Sequence, residues 1–297
     1  QLILPAMKQL IFIATFVIFA CTSLSAQEEQ AAKPKDRPVR APFESGYLID
    51  NQTTVIPSPK TLEYIIQHKF GNMNNGLTDL FGIYAPGANI RMGLNYVPYK
   101  NLQLGYGLTR LNMYSDFSVK YTILEQTRRN TVPVAVGVFA TMAIDGRNEK
   151  VYGKNYNFGN RFSYFSQLIV GRRFNDWLSV QANASFTHYN AVDSLIDHDK
   201  VAVGFNGRIK FSPQSSILFQ YDQPLKIKSI SEHREFTKPS KPNLGIGWEI
   251  RTSTHAFHIY VSSADGLVPQ HNAMFNQNDF TKGDMMFGFS ITRLWSF

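Results

Sequence analysis

The chain has a single cysteine in 297 residues, Cys21, and it lies in an apolar N-terminal stretch. Removal of that stretch leaves no thiol, which excludes disulfide frameworks, thiolate metal sites, cysteine nucleophiles and covalent c-type haem. A lipoprotein would use Cys21 as its acylated residue, but the bulky Phe19 two positions earlier fits that motif poorly. We therefore expect no cofactor and no metal.

Hydrophobic runs long enough to span a bilayer are also missing. Lys8 precedes the apolar run 10–20, and a stretch of small residues ends at Ala26. This is the pattern of a signal peptide, and the run is too short to cross a bilayer as a helix. We predict a signal peptide over residues 1–26, cleaved near Ala26, with residues 1–6 as an upstream extension.

The charge is basic but not concentrated. A formal net charge of +8 can indicate nucleic acid or anionic lipid as a partner. The basic residues are spread along the chain without a long run, so we expect no nucleic-acid partner. The mean hydropathy of −0.21 is typical of a soluble protein. A membrane barrel can have the same value, because its strands alternate in polarity and contain no long apolar stretch. Composition alone therefore does not exclude a secreted soluble β protein.

The end of the chain shows the clearest pattern. Period-two alternation places its aromatic and aliphatic residues on one face of a strand, towards lipid, and small polar residues on the other, towards a lumen. Arg293 interrupts the apolar face and can snorkel to the membrane interface. The apolar set is Phe287, Phe289, Ile291, Trp295 and Phe297. A strand with an aromatic last residue resembles the C-terminal signature of Gram-negative outer-membrane barrels, which implies outer-membrane lipid and the barrel-assembly machinery as partners.

Alternation continues through residues 61–297 and predicts about twelve strands. They are Leu62–Phe70, Asn89–Val97, Leu102–Thr109, Met113–Leu124, Val132–Asp145, Arg161–Phe174, Leu178–Asn190, Lys200–Phe211, Ser216–Leu225, Pro242–Ile250, Ala256–Ala264 and Asp284–Phe297. Arg161–Phe174 is ambiguous, because both of its faces carry aromatic residues. Short and long connections alternate, except at the short Arg110–Asn112. Short periplasmic turns and long extracellular loops are typical of outer-membrane barrels with an even strand number. The fold class is therefore all-β, a closed antiparallel transmembrane barrel.

Residues 27–60 differ in composition from the strands. They are rich in proline and charge, and we interpret them as an extended periplasmic N-terminal arm, partly ordered around residues 43–49. The arm has few apolar residues, so we do not expect it to form a folded plug with a core of its own.

Several segments resemble sequences of one known group. They are residues 56–70, 79–84, 241–250, 255–258, 278–280 and 291–295. Together they are similar to an uncharacterised family of Bacteroidota outer-membrane β-barrel proteins that carries a domain-of-unknown-function label. The resemblance extends over about 41–297. It implies a barrel in the outer membrane of a Gram-negative bacterium, and it implies no substrate, catalytic residue or cofactor.

The strand pattern also predicts which charged side chains face the lumen. The lumen of twelve strands should be narrow. Basic residues exceed acidic ones, which favours passage of small anions. In the alternative, the acids neutralise the cations in a poorly conducting interior, and the barrel has a structural or partner-binding role. The lumen-facing candidates are Glu63, Lys69, Arg91, Lys120, Arg208, Lys210, Asp222, Glu249 and Arg251.

An enzyme is the third class to consider. Some outer-membrane hydrolases carry serine and histidine on the outer wall, within hydrogen-bond reach. Ser185 and His188 face opposite ways on a strand, and His258 and Ser262 lie about 13 Å apart by strand geometry. We therefore predict no catalytic residues and a porin-like channel rather than an outer-membrane hydrolase.

One loop is long and polar enough to reach the lumen. Residues 265–283 carry His271, Asn276 and Asp279, and long loops of this kind often form a constriction or bind a ligand. A smaller cluster at 197–199 could bind a cation, although such clusters are more often solvated loop tips.

Overall fold

The computed structural model of this chain describes residues 36–40, 42–194, 196–227 and 239–297. The predicted signal peptide and the start of the arm lie outside these residues. Within the described ranges, no helix has both the length and the apolar composition needed to cross a membrane.

Twelve strands make up most of the described chain. Their order and bounds are β1 Thr61–Asn72, β2 Asn89–Tyr99, β3 Leu102–Thr109, β4 Ser115–Leu124, β5 Ala135–Ile144, β6 Phe162–Arg173, β7 Leu178–Tyr189, β8 Asp199–Lys210, β9 Ser215–Pro224, β10 Asn243–Arg251, β11 His255–Ser262 and β12 Met286–Ser296. One α-helix, α1, extends over Pro269–Phe275. The predicted strands match these in number and order, and their bounds differ by a few residues at the ends.

Every strand pairs antiparallel with its neighbours along the chain, and β1 pairs with β12 to close the sheet. The closing register pairs Thr61 with Ser296 and Gln67 with Ser290. It is extended by a bond from the backbone N–H of Phe297 to the carbonyl of Lys60. Closure removes both sheet edges, so neither edge strand leaves a row of unpaired backbone groups. The predicted closed antiparallel barrel of twelve strands is confirmed.

The connections divide between the two ends of the barrel. The turn end holds the β2–β3, β4–β5, β6–β7, β8–β9 and β10–β11 connections and both ends of the barrel sequence, and the loop end holds the others. The β4–β5 connection, 125–134, is the longest at the turn end, and residues 110–114 form the shortest connection at the loop end. The division by length is therefore strong but not complete.

The two faces of the wall differ as the alternation predicts. Outward side chains such as Leu94, Ile246 and Trp248 are exposed apolar groups, while their neighbours along the strand are small or polar. On β12, Arg293 points outward, and its guanidinium lies 4.9 Å from the ring of Trp295. An apolar outer surface around a closed sheet is what a lipid environment requires.

The structure resolves the ambiguous strand β6. Phe165 and Ile169 point inward and pack with Phe139 of β5, while Tyr164 and Leu168 point outward. The inner apolar patch explains why both faces of this strand carry large hydrophobic residues.

Replacing Leu94 by lysine should destabilise the barrel by about 2–4 kcal/mol, because this outward position lies in the middle of β2 and the charge would enter the apolar belt. The matched control is Tyr99→Lys at the end of the same strand, where the cost should be about 0–1 kcal/mol. Denaturant unfolding in lipid vesicles measures both. Equal losses at the two positions would contradict a lipid-facing outer surface.

Candidate functional site: the occupied lumen

The lumen contains a segment of the N-terminal arm. Residues 42–56, here called the N-terminal hairpin, turn back at Leu48–Asn51, where the Leu48 N–H donates to the Asn51 carbonyl at 2.8 Å. Tyr47 and Gln52 form an antiparallel bridge below this turn. The hairpin contacts inward side chains from β1, β4 and β6 to β11. Only a segment enclosed by the barrel can reach strands so far apart around the wall. Residues 27–60 were predicted to form a periplasmic arm, whereas residues 42–56 lie inside the barrel.

Apolar side chains of the hairpin form a hydrophobic core together with residues of the wall. Phe43, Leu48 and Ile49 are at most 1% exposed and pack with Leu218 of β9 and Tyr260 of β11. Burial of each such side chain contributes about 1.5–3 kcal/mol before entropy is subtracted. We predicted that the arm has too few apolar residues to form a folded plug. That prediction considered only the arm's own residues, whereas Leu218 and Tyr260 of the strands supply part of the core.

Glycines on the inner wall leave room for these side chains. A Cβ atom at Gly245 of β10 would lie 3.2 Å from Ile49, tighter than most packed contacts, and one at Gly171 of β6 would lie 3.5 Å from Phe43. Glycine at these two inward positions therefore leaves the space that Ile49 and Phe43 occupy.

The hairpin tip carries a buried ion pair. The Asp50 carboxylate lies 2.7 Å from Nζ of Lys69 on β1, and the two side chains are 3% and 0% exposed. Lys69 also donates to the carbonyl of Ala264, while Asn243 donates to Asp50 and the Asp50 N–H donates to Gln220. With both charges surrounded by such partners, loss of one leaves the other buried and unpaired, which typically costs about 3–5 kcal/mol.

Asn51 connects the tip to the opposite side of the wall. Its amide N–H₂ group donates to Asn206 of β8 and to the carboxylate of Asp222 on β9, and its amide oxygen accepts from Gln167 of β6 at 2.8 Å. One side chain thereby joins three strands and satisfies three buried polar groups, as polar networks in a dry interior require.

The stem of the hairpin is held by hydrogen bonds to its backbone. Lys120 donates from Nζ to the Gly46 carbonyl at 2.9 Å and to the Gln52 side chain at 3.1 Å. The hydroxyl of Thr122 donates to the Thr54 carbonyl at 2.7 Å. Both wall residues lie on β4, so this strand bonds to both halves of the hairpin, at Gly46 before the turn and at Gln52 and Thr54 after it.

Glu44 lies near the turn end within a basic cluster. Its carboxylate is 3.4 Å from Arg208 and 3.8 Å from Lys210, both on β8, and it also pairs with Arg251 of β10. Arg208 donates in addition to Glu249 at 2.8 Å. The hairpin thus supplies an acidic partner at each of two levels in the lumen.

Glu63 and Arg91 do not touch the hairpin ions. Glu63 accepts hydrogen bonds from Asn95 and Gln103, both at 2.8 Å. Arg91 pairs with Asp116 through two N–H groups, at 3.0 and 2.6 Å. All nine lumen-facing candidates from the sequence have side chains on the inner face. Six of them bond to or pair with the hairpin, and Glu249 is linked to it through Arg208.

Several residues of the site were not found from the sequence. They are Glu44, Asp50, Asn51, Gln67, Asp116 and His258. Asp116 was detectable, because it lies on the same face of β4 as Lys120. Glu44 and Asp50 gave no such signal, because the arm has no strand period.

The β11–β12 connection closes the other end. In α1, Gln270 and Met274 are buried, and Val268 just before it packs with Tyr114 and Ala143 beneath the loops. Burial lowers the pKa of His271 in the same helix. The prediction that this loop is long enough to reach the lumen agrees with the buried positions of Gln270 and Met274.

Little space remains between hairpin and helix. One cavity lies between Tyr47 and Asp50 of the hairpin, Arg91 of the wall and Pro269 of α1. Its volume, measured as the space open to the centre of a water molecule, is about 40 Å³. A second cavity of the same volume lies beside Asn51. Each has room for about three waters. Neither of these two cavities has room for a solute much larger than a few water molecules.

The serine and histidine residues considered for hydrolase chemistry do not form a catalytic pair. Ser185 faces the lumen and His188 faces outward, where it pairs with Asp199 at 2.6 Å. His258 is buried against Glu249 at 3.1 Å. Among the described residues, no group of three or more His, Cys, Asp or Glu side chains has the geometry to hold a metal ion.

A polar interior, an apolar exterior and complete closure define a membrane-bound β-barrel. The sequence profile of the family described as "Membrane bound beta barrel domain (DUF5777)" matches residues 43–295, and the chain belongs to that family. The matched range includes the hairpin from Phe43 onward. The family description carries no established function.

The chain is also similar to solved structures of outer-membrane proteins. The outer membrane channel COG4313 from Pseudomonas putida F1 is 11% identical, with a TM-score of 0.52 over 84% of this chain and 100% of that one. The NanC porin is 7% identical, with a TM-score of 0.47 over 80% and 99%. The KdgM porin is 8% identical, with a TM-score of 0.44 over the same shares. At these identities the likeness concerns the fold. None of the functionally curated proteins matches the chain.

Replacing Asp50 by asparagine should loosen the hairpin, because Lys69 would keep a buried charge without its counter-ion. Hydrogen exchange of the amides of 43–55 should accelerate at least tenfold. The double variant Asp50→Asn/Lys69→Met removes both charges and should restore most of the protection. Unchanged exchange in the single variant would show that the pair does not hold the hairpin.

The loop end should respond to acid at Asp279 and Asp284. A hydrogen bond from Thr281 lowers the pKa of Asp279, and the backbone N–H of Asp279 lowers that of Asp284. Both ionised groups therefore stabilise the loop above their ordinary value of 3.8, and this contribution is lost as the pH falls through the lowered folded values.

Hydrogen exchange over 276–285, corrected for the intrinsic rate, should stay constant from neutral pH down to about 4.5 and accelerate several-fold below 3.8. The variant Asp279→Asn/Asp284→Asn should exchange fast already at neutral pH. Amides of β11 in the same sample are the internal control. A loop whose exchange is the same in the variant and the parent would disprove the role of these two carboxylates.

Proposed function

We propose that this protein is a gated outer-membrane channel for small solutes with a preference for anions. The N-terminal hairpin closes the path in the present state, and its departure from the lumen opens it. The observation that carries the proposal is the nature of the hairpin's attachment: it is bonded to the wall through side-chain hydrogen bonds and ion pairs, with three apolar anchors.

Wall charge supports the anion preference. Acidic side chains on the inner face of the strands are outnumbered by basic ones. The acids are Glu63, Asp116, Asp222 and Glu249, and the bases are Lys69, Arg91, Lys120, Arg173, Lys200, Arg208, Lys210 and Arg251. Glu44 and Asp50 of the hairpin offset part of this excess, so removal of the hairpin would leave a more positive lumen. Rings of such residues favour anion passage.

The proposal includes export through the inner membrane on the leader 1–26, cleavage near Ala26 and insertion by the barrel-assembly machinery through β12. It assigns no catalysis to the chain. The alternative is a non-conducting barrel with a structural or partner-binding role, and it is favoured by the small size of the two cavities beside the hairpin.

A disulfide that ties the hairpin to the wall distinguishes the gated channel from the non-conducting barrel. A Cβ atom at Gly137 of β5 would lie 3.5 Å from Cγ2 and 3.6 Å from Cα of Thr54, which is close enough for a cystine. In planar bilayers, the oxidised variant Thr54→Cys/Gly137→Cys should show no openings. Reduction should restore openings with a higher conductance for chloride than for potassium.

The single variant Thr54→Cys, treated with the same oxidant and reductant, is the control and should conduct like the parent protein. Openings that continue in the fully oxidised double variant would contradict gating by the hairpin. A parent protein that never conducts, although correctly inserted, would favour the structural alternative.

A further inference from the structure

Three basic side chains converge on one carboxylate inside the barrel. Arg208 and Lys210 project from β8 and Arg251 from β10, and together they surround Glu44, whose side chain is only 10% exposed. The two Glu44 oxygens are used separately: Oε1 faces Arg208 and Lys210, and Oε2 pairs with Arg251. These three residues are here called the basic cluster.

One member of the basic cluster, Arg208, is held in place by the wall as well as by Glu44. Arg208 donates from Nε to Glu249 at 2.8 Å, and the other oxygen of Glu249 lies 3.1 Å from Nε2 of His258. Glu249 and His258 are each 1% exposed, so this support is rigid and dry. The Arg208 N–H groups that face Glu44 would therefore keep their direction if the hairpin left.

The cluster also keeps a positive charge without the hairpin. Within it and its support, Glu249 offsets only one of the three cations. Arg40 and Arg173 also lie close enough to act electrostatically on Lys210, and of these two Arg173 is paired with Asp176 at 2.5 Å. An unoccupied cluster would thus hold more positive charge than its fixed acid can neutralise, and it would attract an anion.

We propose that the basic cluster is a binding site for a carboxylate-bearing solute and that Glu44 occupies it in the closed state as an internal substitute. This assignment rests on the channel proposed above. The forked donors of two arginines match the planar geometry of a carboxylate, and Lys210 adds a point charge. Entry of the solute carboxylate displaces Glu44, which removes one attachment of the hairpin and favours opening.

Asp50 shows that not every acid of the hairpin marks such a site. It meets one cation, Lys69, and its remaining partners are the neutral groups of Asn243 and Gln220. After departure of the tip, one lysine would remain, already bonded to the Ala264 carbonyl. Convergence of several charged donors is specific to Glu44.

Competition with a tethered carboxylate has a measurable consequence. A group tied to the barrel acts at an effective concentration on the order of millimolar or more. A free carboxylate should therefore bind the parent protein weakly and bind more tightly once Glu44 is neutralised. The affinity should fall again when a cation of the cluster is removed.

The test uses the mature full chain in planar bilayers and in vesicles, with sodium glucuronate, glucose and inorganic phosphate as probes at constant ionic strength. In Glu44→Gln, glucuronate should bind at least tenfold more tightly than in the parent, and glucose should not bind. Adding Arg251→Gln to this variant should abolish the gain. Phosphate binding as tight as glucuronate binding would overturn the carboxylate assignment.

The matched control is Glu125→Gln, which makes the same change of charge at the turn end but outside the lumen, where Glu125 pairs with Lys100. Its glucuronate affinity should equal that of the parent. A gain in this variant equal to that of Glu44→Gln would mean that overall potential, not the cluster, sets the affinity, and it would refute the proposal.

A second measurement uses only the parent protein, so its outcome does not depend on whether a variant folds. Saturating glucuronate should speed hydrogen exchange of amides 43–55 several-fold in the parent protein, whereas glucose should leave it unchanged. No change with glucuronate would overturn the displacement of Glu44. Binding without conductance would instead refute only the channel, so the two proposals fail separately.

Discussion

Charges inside this narrow lumen need partners, and that requirement explains most of the interior. A wall of twelve strands encloses too little space for bulk water once residues of the chain enter it, and a buried charge without a counter-ion is costly. The inner wall carries an excess of basic residues. The hairpin supplies acids at two levels, Asp50 against Lys69 and Glu44 against the basic cluster. The conformation of the hairpin follows from these two attachments, with apolar anchors between them.

The fold could be predicted from sequence because strand alternation is a local signal that repeats. Each strand shows its two faces within a few residues, and closure follows from an even number of antiparallel strands with apolar outer faces. Strand β6 could not be assigned in this way. Phe165 and Ile169 face inward because Phe139 on the neighbouring strand completes an apolar patch there. Which face of β6 is inner therefore depends on a partner that its own sequence does not reveal.

The site was predictable only where it belongs to the strands. Counting in twos from any inward residue places Lys69, Arg208 and Glu249 on the lumen face, and the same count would have found Asp116. The hairpin has no period, since its residues occupy turns and bends. Its acids have meaning only through the strands they reach, and those contacts join Glu44 to residues more than 160 positions away. Few apolar residues suggested an unfolded arm, because the part of its core that belongs to the wall was not visible in its own composition.

The way the hairpin is held makes it removable without loss of the barrel. All twelve ladders, including the closing pair β1–β12, form between the strands themselves. The hairpin's links to them run through side chains such as Lys120, Gln167 and Asn51. Water and a solute anion can take over these polar partners, and release of the hairpin must in addition expose its three apolar anchors, Phe43, Leu48 and Ile49. A segment retained by ion pairs responds to the ions around it, because its release exchanges one set of charge partners for another. In the channel that we propose, the occupied lumen is one state and not a permanent filling.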